Sequence, residues 1–235
     1  MISIVIPVLN EGSTITSLLR HLELNATGKV LEVLVVDGGS TDDTAEKVQI
    51  FATQTTEIPV QLIPSYKKGR AVQMNLGAQY AQGPFLYFLH ADSFPPKDFD
   101  ALILDEIEKG QRAGCFRMRF DHSHWWLKLA GWLTRFKSKA CRGGDQSQFI
   151  DKELFEEIGG FDESYTVYED YVLINELYRR KEFVVIPAWL TTSARRYEQT
   201  GLWRLQYHFW AIYLKKFMGA NADELYRYYK KNIAS

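Results

Sequence analysis

The chain has 235 residues, of which 46% are hydrophobic and 14% aromatic, so it can bury a sizeable core and global disorder is disfavoured. Its 28 Lys and Arg residues nearly balance its 29 Asp and Glu residues, which argues against a general nucleic-acid binder. The two cysteines, Cys115 and Cys141, lack CxxC spacing, which favours buried free thiols over a disulfide scaffold.

The first 92 residues alternate apolar strand patterns with helical patterns. Strands are predicted over 2–8, 31–37, 59–63 and 84–92, and helices over 13–24 and 70–82. Ser40 and Thr41 are predicted to cap a further helix after the second strand. This alternation implies βαβ units with right-handed crossovers, so we predict an α/β fold with a mostly parallel sheet and a nucleotide-binding half at 1–92.

Beyond residue 92 the pattern is less regular. The predicted elements are a helix over 97–109, a strand over 113–120, a short strand and a helix after residue 147, a helix from residue 169, a strand over 183–193, and helices after Gly201. No internal repeat or linker interrupts the chain. We therefore predict a single domain, 1–235, with a second half at 93–200 and C-terminal helices at 201–235.

Polar side chains follow the predicted strands at the points where the strands end. Glu11 follows the first strand, Asp37 ends the second, and His90 and Asp92 end the fourth. Ligands bind at the carboxyl ends of strands in open α/β sheets, and acidic loops suit a nucleotide only if a divalent cation bridges the two. The pattern favours a metal-assisted nucleotide site, although either Asp alone is more typical of a helix or turn cap.

Five motifs occur in order along almost the whole chain: IVIPVLNEGSTI, VVDGGSTDDT, FLHADS, GGF and YEDYVL. Their order and spacing resemble those of family 2 glycosyltransferases, and most closely the bacterial subgroup described as transferase 2, radical-SAM/selenodomain-associated. The resemblance implies a GT-A-type nucleotide-binding fold, with a mostly parallel sheet flanked by helices and a C-terminal helical extension. It also implies transfer of a sugar from a nucleoside-diphosphate sugar to an unknown acceptor, with Mn²⁺ or Mg²⁺ bound.

The resemblance also assigns roles by position. It places Pro7 and Glu11 in the base and ribose pocket, Asp37 on the nucleoside, and Arg70 facing the nucleotide. Four more donor-binding candidates follow from the resemblance. Asp145 and Gln146 lie in the loop that usually meets the sugar or acceptor, and Arg195 or Arg196 could reach the diphosphate.

The metal and the base are assigned in the same way. Asp92 matches the last Asp of the DxD element, which contacts the metal, and Asp170 matches the expected base in the second half, 93–200. The chemistry agrees, because a cation and Arg can stabilise the leaving diphosphate while a carboxylate takes the proton of the acceptor hydroxyl. In-line attack assisted by one base inverts the anomeric centre.

Two positions depart from the pattern of the family. His90 stands where relatives commonly have the first Asp of DxD; it can ligate Mn²⁺ or bind ribose, and a satisfied strand-end histidine explains it equally well. Gly38 stands where many relatives read Asp, which removes a carboxylate that would help recognise the base.

Residues 112–142 contain eight Lys or Arg residues and one acidic residue. Trp125, Trp126, Trp132 and Phe136 fall there at roughly helical spacing, which favours a core or an interface, including that of a homodimer. The interleaved basic residues also suit an amphipathic face on anionic lipid, and the aromatic tail after Gly201 repeats the pattern. From this second interpretation we predict peripheral membrane association and a lipid-linked acceptor.

We expect a cytoplasmic location, at the inner face of the membrane if the lipid interpretation holds. Residues 1–12 have no basic region and too short an apolar run for a secretion signal, and no later stretch of about 18 residues is free of charge.

Two other functional classes compete with the transferase. A nucleotidyltransferase also uses an α/β sheet and a metal, but residues 7–14 lack the expected Gly-rich phosphate loop with a basic residue. A non-catalytic nucleotide- or carbohydrate-binding relative is disfavoured by the intact Asp92 and Asp170 and favoured by His90 and Gly38. A dehydrogenase is disfavoured because no GxGxxG motif follows the first strand.

Overall fold

The central strands form where the sequence has continuous apolar runs, because strands covered by helices on both faces bury every side chain. The structure is a computed structural model that describes residues 1–55, 57–143 and 146–233. Within these ranges, eight strands pair into one sheet: β1 (Ile2–Val8), β2 (Val30–Asp37), β3 (Val60–Pro64), β4 (Phe85–Phe88), β5 (Ser93–Phe94), β6 (Ala113–Phe120), β7 (Gln148–Asp151) and β8 (Val184–Thr192).

Helices connect the strands and extend the chain beyond the last one. They are α1 (Ile15–Asn25), α2 (Thr44–Gln54), α3 (Arg70–Tyr80), α4 (Phe99–Glu108), α5 (Trp125–Leu133), α6 (Lys152–Ile158), α7 (Glu169–Arg180), α8 (Arg195–Thr200), α9 (Leu202–Phe217) and α10 (Ala222–Asn232). The predicted C-terminal helical extension corresponds to α9 and α10.

The sheet has the strand order β3-β2-β1-β4-β7-β6-β8-β5. Strands β3, β2, β1 and β4 run parallel, as the alternation of strands and helices predicts. Strand β7 is antiparallel to β4 and β6, β5 is antiparallel to β8, and β6 and β8 are parallel. Four of the seven pairings are therefore parallel, and the antiparallel pairings all involve strands that follow residue 92.

Helices cover both faces of the sheet. On one face, Leu18 of α1 packs in the same buried cluster as Ile4 of β1, together with residues of α2 and α4. On the other face, Met74 of α3 shares a cluster with Val5 of β1 and with residues of α6 and α7. Helix α3 approaches the sheet so closely that a Cβ atom at Gly77 would lie 2.3 Å from Val5 Cγ1, so only glycine fits there.

The helix after β2 begins later than predicted. Helix α2 starts at Thr44, whose N–H donates to Asp42 Oδ1 at 3.1 Å. Ser40 instead donates its N–H and its hydroxyl to Asp37, and the N–H of Thr41 is also used within the loop. The capping roles predicted for Ser40 and Thr41 are therefore wrong, because their hydrogen bonds hold the loop that precedes the helix.

Aromatic side chains of α5 and the residues after it are largely exposed. Trp125 is 60% exposed, Trp132 43% and Phe136 45%, so these side chains do not pack in the core, and the interface alternative stays a prediction. Helix α5 turns its other side toward β6: Gly131 is buried, and a Cβ atom there would lie 2.9 Å from the carbonyl oxygen of Met118. None of the helices in the described ranges has the length and apolar content that crossing a membrane requires.

The two cysteines are free thiols in different environments. Cys115 is 1% exposed and accepts a hydrogen bond from Arg142 Nη1 at 3.2 Å. Burial raises the pKa of the Cys115 thiol, although the Arg142 guanidinium acts in the opposite direction. Cys141 is only half-buried. The prediction of buried free thiols is therefore confirmed for Cys115 and wrong for Cys141.

We expect the native protein to react with Ellman's reagent at one thiol only. At about pH 8 Cys141 should react quickly, whereas Cys115 should react only on unfolding, because burial both shields it and lowers its thiolate fraction. The measurement is the number of fast-reacting thiols in the wild type and in Cys141→Ser. A fast phase that persists in Cys141→Ser would contradict the assignment.

Candidate functional site

The carboxyl ends of the parallel strands meet at one edge of the sheet. Val8 at the end of β1 lies opposite Asp37 at the end of β2, and Asp37 lies opposite the last residue of β3. The N–H of Leu89 donates to the carbonyl of Val5 at 3.0 Å, so the chain leaving β4 continues beside β1 toward His90 and Asp92. The acidic and imidazole residues predicted to share an edge therefore do so.

Asp37 holds the turn that follows β2. Its Oδ1 accepts hydrogen bonds from the Ser40 N–H at 2.9 Å and from the Ser40 hydroxyl at 2.6 Å. Asn10, in the loop after β1, joins the same turn: its backbone has a φ of 58°, its N–H donates to Ser40 Oγ, and its side chain accepts from the Thr41 N–H. The structure thus ties the loops after β1 and β2 into one unit.

A buried glutamine, Gln73, which the motifs did not reveal, binds the strand ends from which these two loops leave. Gln73 of α3 is 3% exposed, and its Nε2 donates to the carbonyls of Val8 at 2.8 Å and Val36 at 2.7 Å. A Cβ atom at Gly38 would lie 3.0 Å from Gln73 Oε1. The glycine that departs from the family pattern therefore makes room for Gln73, which holds the ends of β1 and β2 together.

An ion pair joins the first loop to the end of the sheet. Arg195, the first residue of α8, donates from Nη2 to both carboxylate oxygens of Glu11, at 3.1 and 3.0 Å. Hydrogen bonding to Glu11 and the nearby charge of Asp92 raise the pKa of Arg195 above its ordinary value. The N–H of Ser193 also donates to the carbonyl of Asp92 at 3.1 Å. Glu11, Asp92 and Arg195 therefore form one charged group.

Arg196 makes a different contact from that of Arg195. Its guanidinium carbon lies 6.0 Å from the ring centroid of Tyr229 in α10, in a cation–π contact. Pro7 is buried in β1 beside Val36. The donor-binding roles assigned to Pro7 and Arg196 stay predictions.

Two neighbouring carboxylates and one guanidinium meet at the start of α7. Glu169 is 0% exposed, and its Oε1 accepts from both Nε and Nη2 of Arg70 at 2.6 Å. Asp170 is 7% exposed, with its Oδ2 at 3.6 Å from Arg70 Nη2. Arg70 begins α3, which follows β3, so the group lies at the same sheet edge as Asp37. The first turn of a helix favours negative charge at both acidic positions.

The backbone before this pair is held in an uncommon conformation. Tyr168, the N-cap of α7, has a φ of 78°, in the left-handed region that non-glycine residues seldom adopt. Its ring packs against Tyr171 at 4.9 Å and against Tyr213 of α9 at 5.5 Å between centroids, and burial raises its pKa to about 12. Such strain persists only where packing enforces it, and here it sets the direction in which α7 begins.

Two buried amides lie beside the end of β4. Gln146 is 5% exposed and accepts from the Gly143 N–H at 3.2 Å, and Gln148 pairs with Phe88 in the sheet. The Nε2 atoms of both glutamines have no hydrogen-bond partner among the described residues. Buried donors of this kind normally have partners, so both are suited to bind a ligand. Asp145, predicted to act with Gln146, lies outside the described residues.

Sequence reasoning named Gln146 but missed Glu169, Gln73 and Gln148. Glu169 is the first acidic residue of the YEDYVL motif and could have been considered with Asp170. Nothing local marks the two glutamines. In the part of the chain that the structure describes, no three His, Cys, Asp or Glu side chains gather into a group able to hold a metal ion.

Known proteins resemble this chain in sequence. The undecaprenyl-phosphate 4-deoxy-4-formamido-L-arabinose transferase of Pseudomonas aeruginosa is 29% identical over 128 residues, which are 53% of this chain and 38% of that protein. The chain thus spans about two fifths of the length of that relative. A PGL/p-HBAD biosynthesis glycosyltransferase of Mycobacterium bovis is 31% identical over 178 residues, which are 73% of this chain and 67% of that protein.

A solved structure resembles it in fold. The mannosyltransferase PcManGT from Pyrobaculum calidifontis, in complex with GDP-Man and Mn²⁺, superposes with a TM-score of 0.70 at 17% identity, over 99% of this chain and 68% of that one. The predicted α/β fold of the GT-A type is thereby confirmed. Residues 3–161 match the family model described as Glycosyl transferase family 2. The chain therefore belongs to glycosyl transferase family 2.

Proposed function

We propose that this chain is an inverting, metal-dependent glycosyltransferase in which Asp170 is the base. It would move a sugar from a nucleoside-diphosphate sugar to a lipid-linked acceptor. The observation that carries the proposal is that Asp170 and Arg70 lie at the sheet edge where β2 ends, the same edge at which the chain leaves β4 toward Asp92.

Asp170 suits the role of base better than its neighbour Glu169. One oxygen of Glu169 takes two hydrogen bonds from Arg70, and its side chain has no exposed surface, so it cannot meet an acceptor hydroxyl. Asp170 has some exposed surface and lies farther from the same guanidinium, at 3.6 Å. A carboxylate in that position can take the proton of an attacking hydroxyl. With a single base on one side of the sugar, displacement inverts the anomeric centre.

The donor would lie across the ends of β1, β2 and β4. Asp37 and Glu11 would contact the nucleoside, and Gln146 and Gln148 offer buried amide donors for the sugar or the diphosphate. Arg195 supplies positive charge near Asp92. Fixed donors and cations aimed at a leaving diphosphate stabilise the charge that develops on it.

The side chains at the end of β4 fit a divalent cation that the substrate helps to hold. Asp92 offers carboxylate oxygens and His90 an imidazole nitrogen, which are donors that Mn²⁺ accepts. Mg²⁺ and similar ions are commonly bound by one or two carboxylates together with substrate phosphates, so a complete protein cage is not needed. When bound, the cation would neutralise charge on the diphosphate. The Pyrobaculum relative binds GDP-Man and Mn²⁺, which supports this assignment.

The acceptor proposal rests on the relatives. The Pseudomonas relative is named as an undecaprenyl-phosphate 4-deoxy-4-formamido-L-arabinose transferase, and this lipid in its name supports a lipid-linked acceptor here.

Donor binding should depend on a divalent cation. We expect one of UDP, GDP, CDP and dTDP to bind in calorimetry with Mn²⁺ or Mg²⁺ and to lose most of its affinity in EDTA. Asp92→Ala should weaken the metal-dependent binding by at least about tenfold. Asp105→Ala, an exposed carboxylate of α4, is the matched control and should bind as the wild type does. Binding that is indifferent to EDTA and to Asp92→Ala would refute the metal role.

Loss of the proposed base should lower turnover without weakening donor binding. Asp170→Asn keeps the shape of the side chain but cannot accept the proton, so turnover should fall by at least about a hundredfold. The measurement is release of nucleoside diphosphate from the matching sugar nucleotide in the presence of a lipid-linked acceptor that offers a free hydroxyl, such as a polyprenyl-linked sugar, with donor affinity measured in parallel. Glu176→Gln, on the outer side of α7, should leave both quantities unchanged. Equal turnover in Asp170→Asn and wild type would exclude this residue as the base.

The buried carboxylate of Glu169 should depend on the Arg70 guanidinium for its stability. Arg70→Met leaves a buried carboxylate without its partner, so the free energy of unfolding should fall by about 2 kcal/mol, reduced from the cost of a wholly buried pair because Arg70 is 37% exposed. Arg179→Met breaks an exposed ion pair on the same helix and should lower the free energy of unfolding much less.

The double variant Arg70→Met with Glu169→Gln tests whether the unpaired buried carboxylate causes the loss of stability. Removing the buried charge should restore part of the stability lost in Arg70→Met, as urea unfolding would show. Equal losses for Arg70→Met and Arg179→Met would mean that the buried pair contributes nothing special.

A further inference from the structure

Helix α5 presents an apolar stripe to solvent. Trp125, Leu129, Trp132 and Phe136 recur every three or four residues and are 60%, 39%, 43% and 45% exposed. That spacing puts them on one side of the helix and of the turn that continues it. The opposite side holds the buried Leu127 and also Gly131, which lies against Met118 of β6. The stripe therefore points away from the core.

Helix α9 presents a second stripe with the same spacing. Trp203, Tyr207, Trp210, Leu214 and Phe217 are 51%, 63%, 51%, 59% and 89% exposed. The buried side of this helix consists of other residues, among them Leu205 and Ile212. Both helices thus bury one apolar side and expose another.

The two stripes join into one surface, which we call the aromatic face. The ring of Trp203 lies 6.0 Å from that of Trp125 and 5.5 Å from that of Trp126, and Trp126 lies 5.8 Å from Trp210. Trp126 Nε1 also donates to Gln206 Oε1 at 3.0 Å. Monomeric soluble proteins seldom expose a continuous apolar surface of this extent unless it binds something.

The charges around the aromatic face have one sign. Residues 122–143 contain five Lys or Arg residues, and residues 199–222 contain three; neither segment contains Asp or Glu. Two copies of this surface would bring cations against cations, which disfavours self-association. An anionic lipid surface instead complements both the basic residues and the indole rings, which favour the headgroup region of bilayers.

We propose that the aromatic face docks this protein on an anionic bilayer. The tryptophan rings would enter the headgroup region while Lys128, Arg135 and Lys137 meet anionic headgroups. Apolar burial and basic charge together can make peripheral binding stable without a membrane-spanning segment.

Docking would also bring the base toward the membrane. Tyr213 of α9 packs against Tyr168 and Tyr171 at 5.5 and 5.3 Å, and Tyr168 directly precedes Glu169 and Asp170. The helix that carries half of the aromatic face is therefore in contact with the start of α7. This step rests on the proposed function, because it would bring the hydroxyl of a lipid-linked acceptor to the side of the protein on which α7 begins.

The test is co-sedimentation of the purified full chain with phosphatidylcholine vesicles and with vesicles that also contain phosphatidylglycerol, in EDTA and without nucleotide. We expect binding to the anionic vesicles, with a blue shift of tryptophan emission. Trp210→Gln with Phe217→Gln should lower the partition coefficient by at least about tenfold. Lys128→Gln with Lys137→Gln should lower it by about 30-fold on anionic vesicles only.

Leu24→Gln and Tyr66→Gln are matched controls, since both side chains are well exposed outside the aromatic face, at 81% and 77%. Both should bind vesicles as the wild type does. Failure of the wild type to bind anionic vesicles, or equal binding by the Trp210 and Phe217 variant, would overturn the proposal. A dimer that this variant dissociates, without vesicle binding, would identify a second copy as the occupant. Because no nucleotide is present, vesicle binding can succeed even if donor binding and transfer fail.

Discussion

The buried carboxylate of Glu169 is the constraint on which the second half of the site depends. A carboxylate with no exposed surface is costly unless a cation and hydrogen bonds accompany it, and Arg70 supplies both at 2.6 Å. Because Arg70 begins α3 and Glu169 begins α7, this pair fixes the start of one helix against the start of another, 99 residues away. Asp170 inherits its position from this pair and from the constrained turn at Tyr168.

A second ion pair also joins distant parts of the chain, on the other side of the site. Arg195 and Glu11 are 184 residues apart, and their contact holds the loop after β1 against the start of α8. Both Asp170 and Arg195 lie beyond residues 3–161, the part that matches the family model. The part of the chain that matches the family is thus completed by charged residues that lie beyond it, and each ion pair makes one link between the two parts.

The sequence predicted most where local pattern and burial agree. Strand β1 has the predicted bounds, because seven apolar or small residues in a row suit a strand covered on both faces. Prediction failed where side-chain hydrogen bonds and ion pairs decide the outcome. The start of α2 depends on hydrogen bonds among Asp37, Ser40 and Asp42, and the positions of Gln73 and Glu169 depend on partners tens of residues away. No periodicity marks such residues, although they shape the candidate site.

The aromatic residues show a different limit. Their helical spacing predicts that they share a side of a helix, which is correct for α5 and α9, but spacing cannot say whether that side meets the core or solvent. The structure answers through Gly131 and Leu205, which bring the opposite sides of these helices against the fold. Tyr213 of α9 also contacts Tyr168, which precedes Asp170 at the start of α7. The helix that carries half of the aromatic face therefore also packs against the residues that orient Asp170. Membrane docking and catalysis would then depend on the same helix.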